Sequence, residues 1–467
     1  MKKIYIITLL LLTGVFAQAQ TSVWDGSRQL WTRGTGTEED PFLIESAANL
    51  AYLSYMVGKA FNTEGLYFKL TTDIDLNGSE TQQWIPIGLV NDSYYEDGCL
   101  RNMTPVCVGD YSDLTFKGHF DGCGHSISNI YIDEITGTAG LFGALTATEG
   151  ETVVENVFVT NGYIKAARCG GIVGTCNVSG SNRALVSHCW NGAEIDGTNA
   201  GGIIGDKADM IHNCFNVGNV NGEKAAGGIV SGSSTEVLEC YNNGDVTGNG
   251  FTGGILGGGL RGNSTIRNCY NTGSVSSTGS SVPQGFSNSV VGGVIGVVVT
   301  GTNTMSNCYN VGTVSYEICE PGGVLGWFGA NGVVENVYYL NTCNGGGEGE
   351  AMEAEAMRAL EFVEMLNQVD PVWCADTLNM NDGYPILGAN NLSVGETSLQ
   401  SLTVYPNPTN GQFTVEGTGM LSVFNVVGQT VMTLQVNEKA IVELPQGLYF
   451  VRLEGENGMK LTKLIVR

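Results

Sequence analysis

The chain has 467 residues, of which 68 are glycine and 14% are charged, and its formal net charge is −25. Glycine at about double its usual ~7%, with charge well below the typical ~25%, is not the composition of an ordinary globular domain, and 42% hydrophobic residues argue against disorder. The acidic balance argues against nucleic acid and anionic membranes as partners, because phosphate contacts need clustered Lys and Arg.

The first element is an export signal. Met1-Lys2-Lys3 is a basic start, Ile4 to Phe16 is nearly unbroken apolar sequence, and Ala17-Gln18-Ala19 supplies a small-x-small cleavage site. An apolar run of about 13 residues is too short for a bilayer span, so residues 1–19 are predicted to be removed. Loss of Lys2 and Lys3 takes the net charge from −25 to −27. No later run reaches the ~18 apolar residues of a span, so no transmembrane segment is expected.

Residues 20–388 are predicted to be one repeat domain. Ser46 can cap a short helix carrying Leu50, Leu53 and Val57 at helical spacing. Asp73 and Asp75 alternate along a strand and are predicted to share a face. With Asp121 they are the best acidic candidates for binding calcium or a sugar. An insertion between Val90 and Tyr111 carries Cys99 and Cys107, the better disulfide candidate, and Tyr94, Tyr95 and Tyr111 in it and its flanks are candidate contact residues.

Two blocks then alternate. Gly170-Gly171-Ile172-Val173-Gly174 recurs in close variants starting at Gly201, Gly227, Gly253, Gly292 and Gly322, with intervals of 31, 26, 26, 39 and 30 residues. Between the copies lie His188-Cys189-Trp190-Asn191-Gly192, Asn213-Cys214-Phe215-Asn216-Val217-Gly218, Glu239-Cys240-Tyr241-Asn242-Asn243-Gly244, Asn268-Cys269-Tyr270-Asn271-Thr272-Gly273 and Asn307-Cys308-Tyr309-Asn310-Val311-Gly312. A unit of about 26 residues cannot bury its own apolar face, but stacked units can. The predicted fold is therefore all-β: a right-handed parallel β-helix with helical end caps, followed by a small antiparallel β-sandwich. Glycine pairs would cost a helical repeat roughly 1 kcal/mol each, and propeller blades need about 40 residues.

In that stack Cys189, Cys214, Cys240, Cys269 and Cys308 fall in one column and read as an interior ladder of free thiols. Thirteen cysteines cannot all pair, and Cys343 with Cys374 is a weaker disulfide candidate than Cys99 with Cys107. Asn216, Asn242, Asn271 and Asn310 form a second column, predicted at a turn where stacked amides bond one another and tolerate left-handed backbone.

These blocks resemble the GLUG repeat of bacterial surface proteins. The preceding segments Tyr67-Phe68-Lys69-Leu70-Thr71-Thr72-Asp73-Ile74-Asp75-Leu76, Trp84-Ile85-Pro86-Ile87-Gly88 and Phe116-Lys117-Gly118-His119-Phe120-Asp121-Gly122-Cys123-Gly124-His125 resemble the first coils of that family. The resemblance runs from about Gly34 to Leu387 and implies a β-helix scaffold and a surface location, not a chemistry.

Met352 to Asn367 is predicted to form a second amphipathic helix, stopped by Asp370-Pro371, with Trp373 and Tyr384 to Leu387 completing the far cap. Residues 389–467 turn to short alternating strands, seven in about 75 residues. Tyr405-Pro406-Asn407-Pro408-Thr409-Asn410-Gly411, Leu444-Pro445-Gln446-Gly447-Leu448-Tyr449 and Lys460 to Arg467 closely resemble the type A sorting domain of the type IX secretion system of Bacteroidetes-like Gram-negative bacteria. That resemblance implies the secretion machinery as partner and a secreted or outer-membrane-surface location.

A catalytic site is not legible. His119, Cys123 and His125 have poor zinc spacing with no second pair, so no metal and no cofactor are expected. Neither His-Glu-x-x-His nor a Gly-x-Ser-x-Gly elbow is present, so the metallopeptidase activity that accompanies some GLUG repeats is unsupported here. The expected function is a non-catalytic, adhesin-like module for a host protein or glycan. The alternative is a carbohydrate-active β-helix enzyme, a lyase or hydrolase using acids of the first coils.

Overall fold

The computed structural model describes residues 21–88, 114–133, 137–178, 180–258, 260–261, 264–279, 290–300, 303–316, 321–328, 332–377, 379–388 and, further on, 400–402, 404–406, 409, 411–425, 430–444, 447–455 and 458–466. The export signal expected at 1–19, the insertion with Tyr94, Tyr95, Tyr111, Cys99 and Cys107, and the domain boundary placed at 389 lie outside the described residues.

From Ser22 to Met352 the chain winds as a parallel β-helix. Aligned strands of successive coils pair in parallel, so backbone groups are satisfied from coil to coil and equivalent side chains stack. One inward column runs Phe68, Phe120, Val154, Val186, Ile211, Val237, Ile266, Met305. A second face contributes Ile132, Ile164, Ile195, Val220, Val246, Val275 and Val314. Every coil from that of Phe120 to that of Met305 places an apolar side chain at each of these two positions. That is why the repeat tolerates variable loops: burial is supplied by the column, not by any one unit.

The motif between the Gly-Gly blocks builds a corner. The residue before each cysteine takes the left-handed conformation: His188, Asn213, Glu239, Asn268 and Asn307 have φ between 51° and 55°. The left-handed position expected at Asn216, Asn242, Asn271 and Asn310 is thus three residues earlier. Those four asparagines are fully buried and point inward from extended strands. Each of Asn191, Asn216, Asn242 and Asn271 donates Nδ2–H to the Oδ1 of the next asparagine at 2.8 Å. Each also donates to a carbonyl two residues on.

The second glycine of the Gly-Gly block is the counterpart of this ladder. A Cβ at Gly171, Gly202, Gly228 or Gly254 would sit 2.2–2.4 Å from the Cγ of Asn191, Asn216, Asn242 or Asn271. The two repeated motifs are therefore the two sides of one contact. The ladder stops where Tyr339 takes the place aligned with Asn310, over Gly323.

Helix α1 (Ala47–Val57) closes the first coils. Ser46 accepts the Asn49 N–H at 3.2 Å as its N-cap, and Leu50, Leu53 and Val57 are buried against the core. At the far end α2 (Ala354–Arg358) and α3 (Leu360–Leu366) lie against the outer side of the last coils, packing Met357, Phe362 and Leu366 on Tyr270, Tyr309 and Tyr338.

The C-terminal unit has a five-stranded sheet, ordered Gln400–Ser401, Gly458–Val466, Gly447–Gly455, Gly419–Asn425, Thr430–Val436, and a three-stranded one, Val404–Tyr405, Gln412–Glu416, Lys439–Glu443. Phe413, Val415, Leu421, Val423, Val451 and Leu464 fill the core between them. Apart from the pairing of Gln400–Ser401 with Lys460–Leu461, its ladders are antiparallel.

Candidate functional site

The acids of the first coils are tied into corners. Asp73 Oδ1 accepts the Ser126 N–H at 2.8 Å and lies 3.3 Å from His125 Nδ1, and the His125 bond holds its carboxyl below the ordinary aspartate value. Asp75 Oδ1 accepts from the Asn77 N–H at 2.7 Å and from Asn129 Nδ2 at 2.8 Å. Asp121 Oδ1 accepts from the Cys123 N–H at 2.8 Å and Asn156 Nδ2 at 2.9 Å, while its Oδ2 faces Cys123 Sγ at 3.3 Å and Lys69 Nζ at 3.9 Å. Each carboxylate therefore joins one coil to the next, the ordinary work of a turn acid.

His119 stacks on Tyr67 at 4.4 Å, and burial lowers its pKa. His119, Cys123 and His125 thus engage three different neighbours. Burial pushes the Cys123 thiol up to about 12, away from the thiolate a metal needs. Among the described residues no group of three or more His, Cys, Asp or Glu is placed to hold a metal ion.

Sequence reasoning missed Glu155. It aligns with Asp121 on the next coil, and burial, then the Asp121 charge, raises its pKa. A carboxylic acid with a raised pKa beside an ionised one is the pairing acid–base chemistry uses, and it is the nearest approach to such a pair around Asp121.

The cysteine column is interior. Cys189, Cys214, Cys240, Cys269 and Cys308 are fully buried free thiols, each with Sγ 3.1–3.3 Å from the carbonyl oxygen two residues earlier. Burial in the apolar core pushes the Cys189, Cys240 and Cys308 thiols up. Cys343 and Cys374 are free as well, the first buried and the second exposed, which corrects the pairing considered for them. Cys343 turns into the last coil, and Cys374 lies in a strand with Trp373 buried beside it.

An aromatic feature of the outer side follows from one position in the repeat. The residue after each ladder cysteine points outward, so Trp190, Phe215, Tyr241, Tyr270 and Tyr309 stack along the axis, and Phe158, which follows Val157, aligns with Trp190 from the preceding coil with its ring tilted by 36°. From Trp190 onward the ring centroids are 5.6, 4.7, 4.8 and 5.1 Å apart, with interplanar angles of 7° or less. Offset or stacked rings at this spacing add about 0.5–1.5 kcal/mol per pair beyond area burial. The signal was present in the sequence as Cys-Trp, Cys-Phe, Cys-Tyr, Cys-Tyr and Cys-Tyr.

The column is not uniform. Tyr270 and Tyr309 are 3% and 0% exposed because residues 354–387 lie over them. Trp373 packs 5.9 and 5.6 Å from their rings, and Phe362 meets Tyr309 and Tyr338 edge-on. Arg267 pairs with Asp370 at 3.1 Å, and the Trp373 indole N–H donates to Asn268 Oδ1 at 3.3 Å. Tyr241 is the border rung. Phe158, Trp190 and Phe215 are half-buried, with Val217 beside them 44% exposed.

Comparison with known proteins adds location. The chain is 30% identical over 174 residues (37% of its length) to halomucin of Haloquadratum walsbyi. It is 31% identical over 173 residues to a provisionally named Gly-rich membrane protein of Evansella cellulosilytica. It spans only 2% and 16% of those relatives. A crystal structure of a provisionally named immunoglobulin A1 protease from Bacteroides ovatus superposes on 76% of this chain and 94% of that one, with TM-score 0.48 and 23% identity. Among the described residues no helix is long and apolar enough to cross a membrane. Residues 403–467 match the secretion system C-terminal sorting domain, which marks this chain as one delivered through that machinery to the cell surface or the extracellular space.

Proposed function

We propose that the chain is a non-catalytic, adhesin-like rod of the GLUG-repeat kind, which holds a host protein or glycan against the side of its β-helix. The half-covered aromatic column carries this reading. Phe158, Trp190 and Phe215 are half-buried and left partly open to solvent, an apolar strip that suits a partner, and the sorting domain puts that strip outside the cell. The bonding of Asp73, Asp75 and Asp121 into corners supports the non-catalytic side of the reading, since their oxygens serve the fold. An array of host proteins and glycans probed with the secreted protein tests it. Selective binding that Trp190→Ser abolishes is expected, and an array with no binding above an unrelated β-helix contradicts it.

The raised pKa of Glu155 beside Asp121 favours a second reading, a carbohydrate-active enzyme. Polysaccharide cleavage that disappears in both Asp121→Asn and Glu155→Gln would establish that alternative in place of the first.

A further inference from the structure

The two halves of the aromatic column differ in what lies over them, and the covered half shows what kind of molecule fits. Its occupant is polypeptide: Phe362 and Trp373 close over ring edges, while Asp370 and the Trp373 indole bond the rim residues Arg267 and Asn268. In the open half Trp190 stacks face to face on Phe215 at 6° and Phe215 on Tyr241 at 3°, while Phe158 is tilted 36° to Trp190 at 6.0 Å. Such a stack presents edges outward and keeps its faces inside the column. A sugar needs an aromatic face to lie on, and an apolar side chain needs only an edge to pack against.

The rim changes sign between the halves. The position of Arg267 is aligned in preceding coils with Leu238, His212, Ser187 and Glu155. The corner position of Asn268 is held by Glu239, Asn213 and His188. Glu236 lies two residues before Leu238 on the same strand, bonded to His212 at 2.6 Å, and Asp245 follows Tyr241 in the turn. In those aligned positions there are carboxylates and no lysine or arginine.

Resting on the binding-module reading above, we propose that Phe158, Trp190 and Phe215, with the Glu236 and Glu239 rim, dock a cationic polypeptide segment with an apolar face. It seats beside residues 354–387 and continues their cover along the same column. Apolar anchors fill the ring edges, and Lys or Arg of the partner replaces the Arg267–Asp370 pair with the opposite polarity. Helix-in-groove recognition uses this division of labour, with anchors for affinity and rim charge for orientation and specificity.

The test uses the full secreted protein and three fluorescent probes. One is an 18-residue amphipathic peptide with a Leu/Trp face and a Lys face, one is its Glu-faced counterpart, and one is a neutral cello-oligosaccharide. The Lys peptide is expected to bind at least 10-fold more tightly than the Glu peptide, and more weakly as salt rises. Trp190→Ser with Phe215→Ser should weaken it at least 10-fold. Glu236→Lys with Glu239→Lys leaves the rings in place and should invert the preference between the two peptides, which keeps the test decisive if the ring variant fails to fold. Equal binding of the two peptides, or an unchanged preference in the charge-reversed protein, overturns the proposal. Oligosaccharide binding lost with Trp190→Ser overturns it while leaving the binding-module reading intact. If neither the array nor any probe responds to Trp190→Ser, both readings fall.

Discussion

The covered and open halves of the aromatic column place a ring at the same position of each coil, yet in different surroundings. Tyr270 and Tyr309 are core residues of a small cluster with Met357, Phe362, Leu366 and Trp373, whereas Phe158, Trp190 and Phe215 still meet solvent. The difference teaches that the repeat motif specifies the column, while a non-repeated segment decides how much of it is used for stability. Inside the rod there is no such division: the asparagine and thiol columns are buried along their whole length.

The largest test of that contrast is truncation of single rungs. Tyr309→Ala should cost about 3–5 kcal/mol, the range for a buried aromatic, and Phe215→Ala about 1–2 kcal/mol, nearer to one lost stacking pair and its half-buried area. Urea unfolding of the two variants measures this, and equal losses would break the contrast. Next in size is Asn242→Ala. It removes the ladder partner of one Asn216 Nδ2 N–H, whose other bond to the Gly218 carbonyl remains, and of the Asn271 Oδ1, at about 1–3 kcal/mol for each buried group left unpaired. The loss should be similar for Asn216→Ala, because the inner ladder does not change along its length.

A chemical comparison sharpens the inside–outside distinction. Cys374, exposed, should react with a thiol reagent in the native protein, and the five ladder cysteines only after denaturation. Rapid native labelling of Cys240 by mass spectrometry would contradict its burial.

The smallest effect is acidic. The His125 bond lowers the Asp73 pKa in the folded chain, so its stabilisation is present above the ordinary aspartate value and lost as pH falls through the lowered one. Asp73 is 38% exposed, so solvent screening limits this to at most about 1 kcal/mol. Asp73→Asn should flatten the acid limb of a stability–pH curve below about pH 4. Glu155 carries the opposite sign. Its raised pKa penalises the folded state once the group ionises, so Glu155→Gln should slightly stabilise the protein at pH 7.

Much of the scaffold could be read from the chain. Apolar positions recurring with glycine pairs imply stacked parallel coils, and the cysteines mark the register. Ser46 was legible as a cap because its chemistry is local. What escaped was relational. That Gly202 makes room for Asn216 requires knowing the two meet across the interior. The outward aromatics were masked by the cysteines beside them, which suggested core. Covering of Tyr309 by residues 354–387, against the expectation of a plug at the rod's end, depends on a contact more than 50 residues distant. The acids misled for the opposite reason: Asp73 and Asp121 look like ligands when taken singly, and their partners His125 and Asn156 belong to other coils.

Hydroxyl-radical footprinting of the secreted protein, read residue by residue, tests the central claim most directly. Strong labelling of Phe158, Trp190 and Phe215 is expected, with intermediate labelling of Tyr241 and protection of Tyr270 and Tyr309. Uniform protection or uniform labelling along the six rings would contradict a column that is half closed by its own chain and half open to a partner.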